Sequence, residues 1–128
     1  MDDFARLYEK AIRVVGSRQL SATAEAGAVG AAILTVSGHI YVGVCLDMAC
    51  SVGFCAEHAA AAAMITAGEN VITKVIAVNK QGNIIPPCGR CREFLSQLAD
   101  ANMDAEVKIA EGTVCRLRDL IPYDWRQA

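Results

Sequence analysis

The segment of residues 55–92 decides the fold, and it reads CAEHAAAAAMITAGENVITKVIAVNKQGNIIPPCGRCR. It divides into an alanine-rich helix that stops before glycine, a strand of β-branched residues, a turn and a second helix, predicted over 55–67, 71–79, 81–83 and 88–99. Strands that are joined through a helix usually pair in parallel within one sheet. The segment therefore predicts an α/β fold.

The flanking sequence adds an amphipathic helix and a β-hairpin. In chain order, the flanking elements are a helix, a loop without clear period, two strands, a further strand and a helical turn, predicted over 3–16, 17–27, 28–36, 39–46, 106–110 and 117–120. Ser37-Gly38, between two β-leaning runs, is a hairpin signal and predicts an antiparallel edge. We therefore expect one domain over 1–128, with helices on both faces of a mixed sheet.

Composition and charge exclude several classes of protein. The chain has 128 residues and a net charge of −2, and no basic stripe indicates a nucleic-acid partner. It opens with the acidic Asp2 and Asp3 instead of a secretory leader, and no apolar run is long enough to span a membrane. Six cysteines without an export signal favour reduced thiols and metal chemistry over disulfides. We therefore expect a cytoplasmic protein without nucleic-acid or membrane partners.

Three cysteines and one glutamate form the main chemical pattern of the chain. Cys88 and Cys91 are three residues apart, so the first turn of a helix places both sulfurs on one side. Cys55 opens the other predicted helix, and the partial positive charges of both helix amino ends favour thiolates. Three thiolates can bind Zn²⁺ and leave its fourth position to water. Glu57 would then lie beside that water as a proton acceptor.

The same residues allow two other interpretations. His58 could complete a closed structural zinc site, because Cys55-x-x-His58 and Cys88-x-x-Cys91 have ordinary spacing, although His58 fits a solvated helix surface equally well. Such a site would make the protein a non-catalytic binding or assembly module. The third interpretation is buried cysteines without a metal. The remaining cysteines are predicted to be small core residues rather than ligands, namely Cys45, Cys50 and Cys115.

Two arginines lie close to the second cysteine pair in sequence, one between the cysteines and one directly after them. Arg90 and Arg92 are predicted to donate charge-assisted hydrogen bonds to the sulfurs. Three thiolates on one Zn²⁺ carry a net charge of about −1, and electron-rich sulfurs weaken the effect of the metal on its bound water. Arginines that draw charge from sulfur would restore part of that effect.

With these motifs the chain resembles the cytidine deaminase family, specifically its small zinc-dependent branch. The shared motifs occur in the family's order over nearly the whole chain, and they are Val29-Gly30-Ala31-Ala32, Gly38-His39-Ile40-Tyr41-Val42-Gly43, Cys55-Ala56-Glu57 and Pro87-Cys88-Gly89-Arg90-Cys91-Arg92-Glu93. The resemblance implies a three-layer α/β/α sandwich with a mixed five-stranded sheet. It also implies a homotetramer whose sites are completed by neighbouring subunits, and the hydrolysis of a cytosine nucleoside's amine to a carbonyl and ammonia.

The resemblance further implies roles for residues of the site. Each subunit would hold one Zn²⁺ through the three cysteines, with water or hydroxide as the fourth ligand. Glu57 would carry protons to the ring nitrogen and then to the leaving amine. The backbone of Ala56 and the carbonyl of Pro86 would contact the base.

The chain departs from the family where the sugar is bound. Cytidine deaminases carry Asn-x-Glu at the end of the second strand, and the matching residues here are Cys45-Leu46-Asp47. A thiol is a weak hydrogen-bond partner, and Asp is one methylene shorter than Glu. Gly27 replaces the aromatic residue that usually precedes Val-Gly-Ala-Ala. Ribose recognition of the ordinary kind is therefore in doubt, and these three positions are candidate substrate contacts.

A second branch shares some of these departures. Blasticidin S deaminases also carry Pro-Cys-Gly-Arg-Cys-Arg, lack Asn-x-Glu, and end in a Tyr-x-Trp comparable to Tyr123-Asp124-Trp125. A cytidine-like nucleoside and a modified cytosine nucleoside such as blasticidin S are therefore both candidate substrates. Trp125 is predicted either to line the pocket or to cover a subunit interface.

Overall fold

A computed structural model describes residues 2–127, which form a six-stranded mixed sheet between helices. The helices α1 to α3 are Asp3–Val14, Ala56–Thr66 and Gly89–Gln97. The strands β1 to β6 are Arg18–Ser21, Ala24–Thr35, Ile40–Met48, Ile72–Asn79, Glu106–Ala110 and Thr113–Arg116. Within residues 2–127, no helix has the length and apolar character needed to cross a membrane.

The long strand β2 is the centre of the sheet. It pairs antiparallel with β3 along one edge, and with β4 and the short β1 along the other. Strands β4 and β5 are parallel, and β6 closes the sheet antiparallel to β5. Because β3 and β4 both run antiparallel to β2, they run in the same direction and are joined through α2. The predicted mixed sheet, with its hairpin edge and helical crossovers, is confirmed.

The helices cover both faces of the sheet. Alternate residues of a strand point to opposite faces, so in β2 Ile33 contributes to the core beneath α2 and α3 while Ala32 and Leu34 contribute to the core beneath α1. Helix α1 contacts the sheet through Leu7 and Ala11, which are fully buried. The predicted three-layer α/β/α architecture is therefore confirmed.

Small residues allow α2 to lie unusually close to the sheet. A Cβ atom placed on Gly43 of β3 would lie 2.4 Å from the Ala60 nitrogen and 2.6 Å from the Ala59 Cβ. The alanine run of α2 is thus explained by close helix–sheet packing. This packing fixes the position of Cys55, which caps the helix.

The prediction of a loop over 17–27 is wrong. These residues form β1 and the start of β2, which is interrupted by a register shift between Ala26 and Gly30. Gly27 has φ +93°, and its carbonyl accepts a hydrogen bond of 2.8 Å from the Gly16 nitrogen. A bulge of this kind breaks the alternation by which a strand is recognised. With β6, which the motifs did not predict, the sheet has six strands instead of five.

Candidate metal centre and its cavity

Two helix amino ends bring the three predicted sulfurs together. Cys55 is the N-cap of α2, Cys88 is the N-cap of α3, and Cys91 lies in the first turn of α3. The Cys88 Sγ lies 3.4 Å from the Cys55 Sγ and 3.5 Å from the Cys91 Sγ. All three sulfurs lie within 4.8 Å of one another. Within the described residues, this is the one group of His, Cys, Asp and Glu side chains with the spacing of a metal site.

The spacing of the sulfurs fits a zinc ion. A disulfide has an S–S distance of about 2.05 Å, so these cysteines are free thiols. A tetrahedral Zn²⁺ with Zn–S bonds of about 2.3 Å holds its sulfurs about 3.8 Å apart. The observed separations of 3.4 and 3.5 Å are close to that value. Three soft donors also match the ligand number of a catalytic zinc site, which keeps one position open.

The thiol pKa values show what a cation would change. Burial, with the neighbouring Cys88 thiol, raises the pKa of Cys55 to about 11. Burial and the nearby Glu57 raise the pKa of Cys91 well above its usual range. Burial also acts against ionisation of Cys88, but hydrogen bonds from the Cys91 backbone N–H and the Cys55 thiol lower its pKa overall. A bound cation would favour the thiolate forms that burial disfavours at Cys55 and Cys91.

Glu57 is a buried carboxyl group at the metal centre. It is the second residue of α2, its exposed fraction is 3%, and it lines the cavity beside Cys55 and Ala56. Burial raises its pKa. A carboxylate with a raised pKa is a better proton acceptor than an ordinary one, which suits general acid–base chemistry.

His58 has neither of the two positions considered from the sequence. Its Nδ1 lies 3.3 Å from the Cys91 Sγ, and its ring stacks on Phe94 with centroids 4.0 Å apart and planes inclined by 18°. It lies outside the described group of sulfurs within 4.8 Å, so it does not complete a closed Cys3His site there. It is also half-buried rather than solvated. The sequence signal for the contact between His58 and Phe94 was spacing. Phe94 comes three residues after Cys91 and therefore lies on the same side of the helix.

The two arginines make other contacts than those predicted. Arg92 donates from Nε to the Pro87 carbonyl at 2.8 Å and from a terminal nitrogen to the Leu120 carbonyl at 3.4 Å. It therefore holds the backbone ahead of Cys88, contrary to the prediction that it binds sulfur. Arg90 is exposed at the rim of the cavity, and no hydrogen bond joins it to a sulfur among the described residues.

A cavity of about 680 Å³ opens beside the sulfurs. Most of its wall is apolar, and the predicted contacts Ala56, Pro86, Cys45 and Asp47 all line it. The Cys45 sulfur is buried, accepts a hydrogen bond of 3.3 Å from the Val29 nitrogen and lies 3.9 Å from the Asp47 Oδ2. Cys50 is exposed rather than part of the core, which corrects the sequence prediction. Its φ of +62° belongs to a tight turn after β3.

Two predicted contacts lie away from the cavity wall. A Cβ on Gly27 would lie 2.1 Å from the Gly16 carbonyl oxygen, so Gly27 is required by the bulge rather than by a ligand. Trp125 has an exposed fraction of 63%, and its Nε1 donates to both carboxylate oxygens of Glu93 at 3.2 Å. It thus lies against α3 and outside the cavity of its own chain.

Comparisons with known proteins give one consistent set of relatives. No family model matches the chain. Cytidine deaminases from two Mycobacterium tuberculosis strains, CDC 1551 / Oshkosh and ATCC 25618 / H37Rv, are each 29% identical over 96 residues, which is 74% of this chain and 70% of the relative.

Solved structures agree with these relatives. The crystal structure of cytidine deaminase from Mycobacterium tuberculosis superposes with a TM-score of 0.81 and 25% identity, covering 98% of both chains. Cytidine deaminase from Burkholderia pseudomallei gives a TM-score of 0.74 and 27% identity, covering 96% of this chain and 98% of the other.

Proposed function

We propose that this chain is a member of the cytidine deaminase family and acts as a zinc-dependent hydrolase. It would convert the amine of a cytidine-like nucleoside to a carbonyl and release ammonia. The strongest support is the convergence of three cysteine sulfurs beside the buried Glu57, at the edge of a cavity of about 680 Å³. The proposal includes one Zn²⁺ per subunit, with water or hydroxide as its fourth ligand, in a single domain over 1–128.

The proposed chemistry divides between the metal and Glu57. A Zn²⁺ held by the three cysteines would supply a Lewis acid that lowers the pKa of a bound water molecule. The Glu57 carboxylate takes one proton from that water and gives it to the ring nitrogen, and it then carries the second proton to the leaving amine. Water thus provides the new carbonyl oxygen, and the amine leaves as ammonia.

The base is oriented by backbone groups of the cavity wall. Ala56 supplies an N–H at the amino end of α2, and the carbonyl of Pro86 supplies an acceptor. One donor and one acceptor suit the edge of a cytosine ring, which carries both a carbonyl and an amine. The apolar side chains around them exclude water from the rest of the ring.

A modified cytosine nucleoside, such as blasticidin S, is the second candidate substrate. It is favoured by the Cys45 sulfur, which accepts from the Val29 nitrogen at 3.3 Å and is a poor partner for a sugar hydroxyl. Asp47 then remains as a carboxylate acceptor on the same strand. Such an arrangement is compatible with a substrate that carries other groups in place of an ordinary ribose.

The outer face of α2 supports assembly into a homotetramer. This helix is apolar on nearly all sides, and Ala62, Ala63 and Ile65 are exposed on its outer face. A helix that is apolar all round is usually buried, so a second subunit is a suitable cover. In such an assembly Trp125 of one chain either lines a neighbour's cavity or covers the interface. The cytoplasmic location stays a prediction.

A substrate panel tests the proposal directly. The zinc-loaded protein is incubated with cytidine, deoxycytidine, blasticidin S, 5-substituted cytidines and amino-purines, and ammonia release is followed. Turnover of cytidine or deoxycytidine supports the first candidate, and turnover of blasticidin S alone supports the second. A folded protein that binds zinc and releases no ammonia from any compound would instead be a non-catalytic binding module.

A further inference from the structure

We propose that His58 is a positioning residue of the metal centre, whose imidazole donates its Nδ1–H to the Cys91 sulfur. The inference rests on the zinc site of the proposed function. The observation behind it is the 3.3 Å separation of the Nδ1 and Sγ atoms, together with the stacking of the imidazole on Phe94. Neither the sequence spacing nor a place in the cavity wall assigns this role to His58.

The direction of the hydrogen bond follows from metal binding. A cysteine that binds zinc does so as a thiolate and has no S–H to donate. The hydrogen between Cys91 and His58 must therefore come from the imidazole, which fixes the tautomer with the hydrogen on Nδ1. The Nε2 atom then carries the lone pair and is directed away from the sulfur.

Cys91 is the sulfur that most needs this donor. It is fully buried, whereas Cys55 is half-buried and Cys88 is exposed. The Cys91 backbone N–H donates to the Cys88 sulfur at 3.4 Å, so this N–H does not serve the Cys91 sulfur. Within the described residues, the imidazole of His58 is the nitrogen donor that reaches the Cys91 sulfur.

The N–H of His58 would offset negative charge at the metal centre. Three thiolates and one Zn²⁺ sum to about −1, and the buried Glu57 lies beside them. A hydrogen bond to a charged group is stronger than one between neutral groups, and it draws electron density from the sulfur. Partners of this kind hold ligands in place and adjust the acidity of metal-bound water. His58 thus has the role that the sequence assigned to Arg90 and Arg92.

Stacking on Phe94 holds the imidazole in its orientation. His58 comes three residues after Cys55 on α2, and Phe94 comes three residues after Cys91 on α3. Helix α2 therefore contributes one sulfur and helix α3 contributes two, and each helix adds one ring a turn beyond a sulfur. The ring pair joins the two helices at the place where their sulfurs must stay within bonding distance of one ion.

Three variants separate the donor from the ring. His58→Phe keeps an aromatic ring against Phe94 but has no N–H, while His58→Asn places an amide N–H near the Nδ1 position without a ring. Phe94→Leu keeps the imidazole and removes the stacking partner. Cys50→Ser is the matched control, because it removes an exposed thiol outside the metal centre. Each protein is measured for zinc affinity against a chromophoric chelator and for the thiolate-to-metal charge-transfer band after Co²⁺ substitution.

We expect His58→Phe to move the charge-transfer band to longer wavelength and to weaken zinc binding by about tenfold or more. His58→Asn should return the band position and the zinc affinity toward those of the unchanged protein. Phe94→Leu should give values between those of His58→Phe and the unchanged protein, and Cys50→Ser should change neither quantity. The inference is overturned if His58→Phe leaves band and affinity unchanged, or if folded His58→Asn behaves as His58→Phe does. A Co²⁺ spectrum that loses a nitrogen ligand would show instead that His58 binds the metal. These measurements need no substrate, so they stay separate from a failure of the proposed activity.

Discussion

Cys55 and Cys88 cap the amino ends of two different helices, and their sulfurs lie 3.4 Å apart. Each helix amino end carries a partial positive charge of about half a unit, so both caps favour a thiolate at the same point. The fold therefore provides the ligands and part of the charge that stabilises them through one arrangement, the meeting of α2 and α3.

Removal of one capping sulfur should weaken metal binding strongly. In Cys55→Ser, the hydroxyl that replaces the thiol is a poor zinc ligand. Loss of a residue that only hydrogen-bonds a metal ligand typically lowers metal affinity by about 10- to 100-fold. We expect the loss of the ligand itself to lower zinc affinity by more than that. Zinc content after dialysis, measured by atomic absorption, checks this. Cys115→Ser is the control, since this cysteine lies on β6 outside the sulfur group. Equal zinc loss in both variants would contradict the assignment.

Replacement of the buried carboxyl group should separate metal binding from catalysis. We expect Glu57→Gln to keep zinc at one ion per subunit, because Glu57 is not a member of the sulfur group. We also expect kcat to fall by about 10²- to 10⁴-fold, because the amide cannot move the protons. Steady-state ammonia release and zinc content are measured on the same sample. Loss of zinc together with activity would mean that Glu57 is a ligand.

Features that depend on the local sequence could be predicted better than features that depend on contacts between distant residues. The convergence of Cys55 and Cys88 could be foreseen because each sulfur is placed by the first turn of its own helix. The bulge at Gly27 could not be foreseen, because it is fixed by a contact with Gly16 in the connection between α1 and β1. Arg92 turns to the Leu120 carbonyl, 28 residues away, and no spacing near Arg92 indicates that partner.

The close approach of α2 and β3 should control the metal site from a distance. Gly43→Ala introduces a Cβ 2.4 Å from the Ala60 nitrogen, so α2 must move outward and carry Cys55 with it. We expect a loss of about 1–3 kcal/mol in the free energy of unfolding, as in other overpacked cores, and weaker zinc binding. Denaturant unfolding and chelator competition measure the two effects. Gly16→Ala, where an added Cβ meets no atom within 4 Å, should cause neither.

The carboxyl end of α2 is joined to the β2–β3 turn by Glu69. Its carboxylate accepts from Ser37, from Tyr41 at 2.6 Å and from His39 at 2.9 Å, and these hydrogen bonds lower its pKa from about 4.5 to about 2. Because the pKa of Glu69 is lower in the folded than in the unfolded chain, its carboxylate stabilises the fold at pH values above the unfolded pKa of about 4.5. That stabilisation is lost as the pH falls from about 4.5 toward 2.

We therefore expect the difference in Tm between the unchanged protein and Glu69→Gln to be largest above pH 5 and to shrink on acidification. Circular dichroism melts at a series of pH values measure it. Glu111→Gln, at a largely exposed carboxylate 4.0 Å from the Lys108 nitrogen, serves as the control and should show no such trend. A Tm difference that stays constant down to pH 2 would contradict the role of Glu69.

Substrate choice should depend on the pair Cys45 and Asp47 at the end of β3. Both line the cavity, and the Cys45 sulfur is occupied by the Val29 N–H at 3.3 Å. Combining Cys45→Asn with Asp47→Glu restores a side-chain amide and a longer carboxylate, each able to bind a sugar hydroxyl. A gained hydrogen bond is worth about 0.5–1.5 kcal/mol, so we expect kcat/KM for cytidine to rise by up to about tenfold. The kcat/KM for a modified nucleoside should fall or stay constant. If the double variant raises neither value, selectivity lies outside this strand.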